Sequence, residues 1–211
     1  MPPGCCARTS GSSMTEAIPF EQVRLYLPQY LSPERQQDLW SELRSFPNNH
    51  SIYSTRNNEP DLLQGDGWRG FVAIDFHSLE RKTVSGLVIS NSCDVSSANA
   101  RALTPNIIFV PLMRLQPYLA ILEEHGQTEE QRANVASAIR RQAVTSLMHL
   151  PAIPGQMEES VAMLGDARSH PLDHFMATER SQLFRLSDFG FYLFLFKLSI
   201  HFTRMLEGVE R

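Results

Sequence analysis

Three short apolar runs between residues 71 and 115 constrain the fold more than any other part of the sequence. They occupy residues 71–76, 86–90 and 106–110, and the third ends on Pro111. Runs rich in Val, Ile and Phe that are bounded by Gly, Pro, Asn and Ser are typical of β-strands. The sequence Asn91-Ser92-Cys93-Asp94 breaks the second run abruptly, as a tight turn does. We therefore expect a compact β-rich core in this region.

Helical patterns flank this core. Ser32-Pro33-Glu34-Arg35 provides an N-cap, a proline at the first helical position and an acidic first turn. Apolar spacing predicts a helix over residues 112–122. Thr128-Glu129-Glu130-Gln131 has the capping-box pattern and predicts another helix that ends near Arg141. Ser187-Asp188 caps a long apolar helix over about residues 189–208.

Three further strands are predicted at residues 144–150, 159–164 and 182–186. About six strands, with helices before, within and after them, indicate an α+β protein built on a small β-barrel. We expect residues 1–17 to form a disordered leader and residues 18–66 a helical extension with its connector. Residues 67–211 would form the barrel domain, with a helical insertion at about 115–141. Met14 offers an alternative start.

Composition excludes several classes of protein. A net charge of −4 and a pI near 6.0 argue against a strong nonspecific binder of polyanions. No apolar stretch approaches the ~18–20 residues of a membrane span, and the leader lacks the features of a secretory signal. Cys93 is the only cysteine outside the leader, so neither a disulfide framework nor a cysteine-based zinc site is expected. We predict a cytoplasmic protein with no cofactor, no metal and no membrane partner.

The strand sequences resemble a known family. Residues 68–76, 86–91 and 108–112 are similar to the strands of the PemK/MazF superfamily of SH3-like barrels, and residues 181–204 resemble its C-terminal end. The resemblance implies an SH3-like (PemK/MazF-type) β-barrel with an N-terminal helical extension, a helical insertion and a C-terminal helix. It also implies a dimeric toxin that cleaves single-stranded RNA without a metal and is held inactive by an antitoxin peptide.

The chain departs from the family at two positions. The family's catalytic arginine precedes the second strand, where this chain has Val84-Ser85. The family's threonine follows the Val-Pro pair, where this chain has Leu112-Met113. The family's usual catalytic pair is therefore missing, and an activity would need other residues.

The loop between the first two strands supplies the residue types that RNA cleavage needs. Metal-free cleavage requires a base, an acid and a cation at the phosphate. His77, Glu80 and Arg81 all lie in this loop, and Arg114 follows the third strand. We predict Arg81 and Arg114 as phosphate contacts and His77 or Glu80 as the proton carrier. The alternative is that the loop is only a solvated hairpin connection.

Cys93 and Asp94 form a second candidate site. The Cys93 thiol would act as a nucleophile with His77 or His149 as its base. A single cysteine at a strand end is more often a small packing residue, and Asp94 would then bond to nearby backbone amides.

Two functions are therefore predicted from the sequence. The first is an RNA-interacting protein of toxin–antitoxin ancestry, an endoribonuclease with a rearranged site. Its partners would be single-stranded RNA, an antitoxin or other protein, and a second copy of the chain. The second is a catalytically silent SH3-like barrel that acts as a protein-interaction module in a mobile-element or phage-related system. The missing arginine and threonine and the acidic pI favour the second.

Overall fold

The computed structural model of this chain describes residues 51–55, 61–75, 78–96 and 103–203, together with residues 37 and 99. By its contacts the chain divides into two units, Met1–Arg44 and Ser45–Arg211. Every strand and helix given below belongs to the second unit. The predicted leader and most of the predicted helical extension lie outside the described residues.

The described part of the second unit is an α+β structure, as the sequence predicts. Its strands are β1 (Gly67–Ile74), β2 (Arg81–Val88), β3 (Asn106–Arg114), β4 (Leu147–Leu150), β5 (Ser160–Met163), β6 (Arg168–Pro171) and β7 (Ser181–Phe184). Its helices are α1 (Ser92–Val95), α2 (Leu115–Glu124), α3 (Glu129–Arg140), α4 (Leu172–Ala177) and α5 (Asp188–Thr203). None of the described helices is long and apolar enough to cross a membrane.

The seven strands form one antiparallel sheet with the order β4-β5-β3-β2-β1-β7, and β6 pairs with β3. The long strand β3 changes partner along its length: residues 106–109 pair with β6, and residues 112–114 pair with β5. The predicted start of a helix at Leu112 is therefore wrong. Because Leu112, Met113 and Arg114 are hydrogen-bonded to β5, the chain stays extended and α2 begins at Leu115.

A stack of three phenylalanine rings holds the centre of the sheet. Phe71 lies parallel to Phe109 at 4.0 Å and to Phe175 at 4.3 Å between ring centroids. All three are fully buried, and burial of each such side chain contributes about 1.5–3 kcal/mol. A Cβ on Gly86 would lie 2.5 Å from the ring of Phe109, so the stack requires glycine there.

The connection between β4 and β5, residues 151–158, crosses to the opposite edge of the sheet; we name it the strap. The side chain of Gln156 donates a hydrogen bond from Nε2 to the carbonyl of Leu183 in β7, at 2.7 Å. The hydroxyl of Tyr53 donates to the carbonyl of Pro151 at 2.6 Å. The strap therefore links the two edge strands, β4 and β7, although the two do not pair with each other in the sheet path.

The α2–α3 insertion is fastened to β5 by an ion pair. Arg140, at the end of α3, donates two hydrogen bonds to the Glu159 carboxylate, at 2.7 and 2.9 Å. The Nε2 atom of His149 lies 2.8 Å from Oε1 of the same carboxylate. Arg140, followed by His149, lowers the pKa of Glu159 to about 2. The capping box that begins α3 at Thr128 is present as predicted.

A buried carboxylate ties the start of β1 to the end of β7. Asp66 is 1% exposed and accepts two hydrogen bonds from Arg185, one from Nε at 3.2 Å and one from Nη2 at 3.0 Å. The amide of Gln182 and the backbone N–H of Leu63 also donate to Asp66. The carboxylate is thus fully surrounded by donors, as a charge in a protein interior requires.

Lys197 of α5 is a buried amine. It is 5% exposed, and its Nζ donates to the carbonyls of Gln142 and Val144, both at 2.8 Å. These bonds hold α5 against the loop that leads into β4. Burial lowers the pKa of the Lys197 amine from 10.5 to about 8, because the charged form has lost its water.

This shift predicts how stability changes with pH. Between pH 8 and 10.5 the unfolded chain binds more protons at Lys197 than the folded chain, so the free energy of unfolding rises with pH. We expect the wild type to gain stability relative to Lys197→Met as pH increases from about 7.5 to 10. Urea unfolding at several pH values measures this difference. A constant difference would show that Lys197 does not titrate in this range.

Candidate functional site

A cleft of about 890 Å³ opens on the sheet where β2 and β3 separate. The two strands are paired up to Gly86 and Pro111. Beyond this pair β3 turns to β5, which leaves residues 83–85 and 112–114 on the two sides of the cleft. The strap, Arg69 of β1, Pro117 of α2, Ser160 of β5 and Leu183 of β7 complete the wall.

Arg69 brings a positive charge to the floor of the cleft. It is directly opposite Ser85 in the β1–β2 register, so the two side chains share a face of the sheet. Its side chain is exposed, and within the described residues its guanidinium has no ion-pair partner. Such a group is available to bind an anion in bidentate geometry.

Arg114 and Glu158 face each other at the wall of the cleft. Nη1 of Arg114 lies 3.1 Å from Oε1 of Glu158, and both side chains are more than half exposed. An exposed pair of this kind is worth about 0–1 kcal/mol, so an incoming anion can displace the carboxylate from Arg114. The backbone carbonyl of Glu158 accepts a hydrogen bond from Ser160 Oγ at 2.7 Å, which fixes the strap at this end.

The polar and apolar parts of the cleft are segregated. Thr83 and Ser85 place hydroxyl groups beside Arg69, whereas Leu112, Met113 and Met157 provide an apolar wall. The side-chain charges of the lining residues sum to +1, because the two arginines are opposed by Glu158 alone. The arrangement suits an anionic ligand with apolar parts.

The two positions at which the chain departs from the PemK/MazF pattern lie in this cleft. Val84-Ser85 and Leu112-Met113 line opposite sides of it. The cations present are Arg69 and Arg114, neither of which stands at the family's arginine position. The cleft therefore lies where the resemblance would place the family's catalytic pair, but the side chains at those positions are different.

Two of the predicted loop residues, Glu80 and Arg81, do not join this cleft. Glu80 and Arg81 lie at the start of β2 and do not line it, and Glu80 pairs with Lys82 at 3.4 Å. His77 is outside the described residues. Of the predicted site residues that the structure describes, only Arg114 is placed in the cleft.

Cys93 and Asp94 lie in α1, which begins where the sequence predicts a tight turn. Asn91 caps this short helix by accepting a hydrogen bond from the N–H of Cys93 at 2.9 Å. Cys93 lines a separate cavity of about 270 Å³. His149 is buried against Glu159 and lines neither this cavity nor the cleft. The described residues contain no group of three or more metal-ligating side chains.

Arg69 and Glu158 were not predicted from the sequence. Arg69 had a local signal, because an arginine between Trp68 and Gly70 in an apolar strand is unusual. Glu158 had no local signal in the sequence, because it reaches Arg114 only through the path of the strap across the sheet.

No protein-family model matches the chain, and no curated protein matches its sequence. The resemblance to the PemK/MazF superfamily therefore stays a prediction. The chemistry of the cleft is the basis for a functional proposal.

Proposed function

We propose that the protein binds single-stranded RNA in the cleft and cleaves it without a metal ion. The observation that carries this proposal is the position of Arg69, an arginine with no ion-pair partner among the described residues, beside the exposed Arg114–Glu158 pair. In the proposed complex a phosphodiester contacts the two guanidinium groups, and the Glu158 carboxylate, 3.1 Å from Arg114, contacts the adjacent ribose. The protein would be an endoribonuclease with a rearranged site.

We further propose that the sheet is an SH3-like barrel of the PemK/MazF type. Two observations support this: the sheet is antiparallel with β3 shared between β2, β5 and β6, and the strap joins its two edges through Gln156 and Tyr53. A barrel has no free edge strands, so a link between the two edges of the sheet supports this architecture.

In the proposed reaction Glu158 takes the proton of the ribose 2′-hydroxyl. The 2′ oxygen attacks the adjacent phosphorus, the bond to the 5′ oxygen breaks, and that oxygen leaves with a proton from water. The products are a 2′,3′-cyclic phosphate and a 5′-hydroxyl. Arg69 and Arg114 stabilise the charge that grows on the phosphoryl oxygens.

A silent interaction module is the second candidate. The mutual pairing of Arg114 and Glu158 favours it, because among the described residues it leaves Arg69 as the one lining cation without a carboxylate partner. In that case the cleft would hold a segment of a protein partner, and no RNA would be cleaved.

Arg69→Ala tests the proposal. Charge-assisted hydrogen bonds contribute about 1.5–3 kcal/mol, so we expect this variant to bind single-stranded RNA at least about tenfold more weakly than the wild type. Fluorescence anisotropy with labelled RNA in EDTA measures affinity, and gel analysis of the same RNA measures cleavage. Arg141→Ala is the matched control, because Arg141 is exposed at the end of α3 and does not line the cleft.

The outcome separates the two candidates. Binding and cleavage by the wild type and Arg141→Ala, with loss in Arg69→Ala, supports the ribonuclease. A wild type that neither binds nor cleaves RNA would contradict it and leave the interaction module.

A further inference from the structure

The β1–β2 hairpin carries an exposed face that begins at the cleft. In the register of the hairpin, Arg69 is opposite Ser85, Val72 is opposite Thr83, and Ile74 is opposite Arg81. Cross-strand partners point to the same side of a sheet. The six residues therefore share one side, which we name the hairpin face.

A bulge at Gly70 creates this arrangement. The register shifts by one residue between Arg69 and Phe71, so the alternation of side chains restarts after Gly70. Phe71 is then fully buried in the core, whereas Ile74 is 42% exposed. Gly70 has φ +116°, and a Cβ there would lie 2.8 Å from the carbonyl of Glu179. Only glycine fits this position without strain.

The hairpin face has a cation at each end. Arg69 lies at the cleft, and Arg81 lies about 13 Å from Ser85, given a rise of about 3.3 Å per residue. Within the described residues neither guanidinium has an ion-pair partner. Two carboxylates stand near the far end: Glu80, which pairs with Lys82, and Asp75, which accepts a hydrogen bond from the N–H of Ser78.

Between the two arginines the face is mixed in character. Val72 is half-buried, while Ile74 and Thr83 are exposed. Apolar side chains between two phosphate-binding groups suit a single strand, whose bases pack on apolar surfaces while its phosphates meet the cations. A double helix would not present its bases to this face.

We infer that RNA bound in the cleft continues along the hairpin face to Arg81. This inference rests on the proposed function, and it adds that the binding site is longer than the cleft. Thr83 already lines the cleft, so the additional length from Thr83 to Arg81 is about 7 Å at about 3.3 Å per residue. At about 3.4 Å per stacked nucleotide, this corresponds to about two nucleotides. Arg81 is thus a binding residue outside the cleft and has no part in cleavage.

Arg81→Ala and Lys82→Ala form a matched pair that tests this inference. The two residues are neighbours and each variant loses one positive charge, but Lys82 is opposite Ala73 on the other side of the hairpin. We expect Arg81→Ala to weaken binding of a ten-residue uridine oligonucleotide about fivefold or more, and Lys82→Ala to change it little. Neither should change the binding of a four-residue oligonucleotide, whereas Arg69→Ala should weaken both.

Salt dependence provides a second measurement. Each phosphate contact to a single strand contributes about −0.7 to the slope of log affinity against log salt. The slope for the longer oligonucleotide should become shallower by about 0.7 in Arg81→Ala and stay unchanged in Lys82→Ala.

A failure of this inference can be distinguished from a failure of the proposed function. If the wild type binds both oligonucleotides and the two neighbouring variants behave alike, the hairpin face is not part of the site, and the proposed function stands. If the wild type binds neither oligonucleotide, both the proposed function and this inference are wrong.

Discussion

Replacing Asp66 with alanine should destabilise the protein by about 3–5 kcal/mol. The change removes the buried carboxylate that accepts two hydrogen bonds from Arg185, whose guanidinium is itself only 8% exposed. Removing one member of a buried ion pair costs this much because the remaining charge cannot regain its water. Since domains are stable by about 5–15 kcal/mol in total, the variant should lose a large fraction of its free energy of unfolding. Urea unfolding followed by tryptophan fluorescence measures the loss.

A double variant shows where the loss comes from. Asp66→Leu combined with Arg185→Met removes both charges, and such replacements are often neutral or stabilising. We expect the double variant to recover most of the stability that Asp66→Ala loses. If Asp66→Ala costs less than about 1 kcal/mol, the pair does not hold the start of β1 to the end of β7 in the way described.

Glu158→Gln should abolish cleavage while RNA binding becomes tighter. A general base contributes about 10²–10⁴-fold to a rate, and glutamine cannot accept the 2′-hydroxyl proton. Glutamine also no longer competes as an anion for Arg114, with which Glu158 pairs at 3.1 Å. An exposed ion pair is worth about 1 kcal/mol or less, so affinity should rise at most about fivefold. Single-turnover cleavage and anisotropy on the same RNA measure the two effects.

Glu123→Gln is the control for this variant. It breaks a comparable ion pair, to Arg132 at 2.7 Å, on the α2–α3 insertion, and should change neither rate nor affinity. If Glu158→Gln cleaves at the wild-type rate, Glu158 is not the base. If binding weakens instead of tightening, Glu158 does not compete with RNA for Arg114.

The strands with apolar runs were predictable from composition, because buried strands consist mostly of apolar residues. All six strands expected from the sequence are present, and the capping box at Thr128 marks α3 correctly. Strand β6 was not predictable: in Arg168-Ser169-His170-Pro171 only His170 is buried. It is a strand because it pairs with residues 106–109 of β3. This contact joins segments that are far apart in the sequence, so the residues of β6 alone do not indicate it.

Pro111 explains why a helix was predicted to begin at Leu112, where the chain is still part of β3. A proline usually ends a strand because it removes a ladder hydrogen bond. Here Pro111 lies in the gap between the part of β3 that pairs with β6, up to Phe109, and the part that pairs with β5, from Leu112. The strand continues through the proline at a place where β3 changes partner.

The candidate site was less predictable than the fold. Arg114 was found because it follows a recognisable strand end, but Glu158 and Arg69 come from elements 44 and 45 residues away on either side. Arg81 was predicted as a phosphate contact alongside Arg114, but it lies at the start of β2 and does not line the cleft. A sequence indicates which residues can do chemistry, while the pairing of the strands determines which of them meet.

The left-handed conformation of Gln142 has a consequence for self-association. Gln142 has φ +59°, and its side-chain amide exchanges two hydrogen bonds with the backbone of His149, at 2.8 and 3.0 Å. The amide thus occupies the outer side of β4 much as a neighbouring strand would. An edge strand with bare N–H and C=O groups is a template for aggregation. Because the side chain of Gln142 covers the edge of β4 at His149, strands of other molecules cannot pair with β4 at this residue.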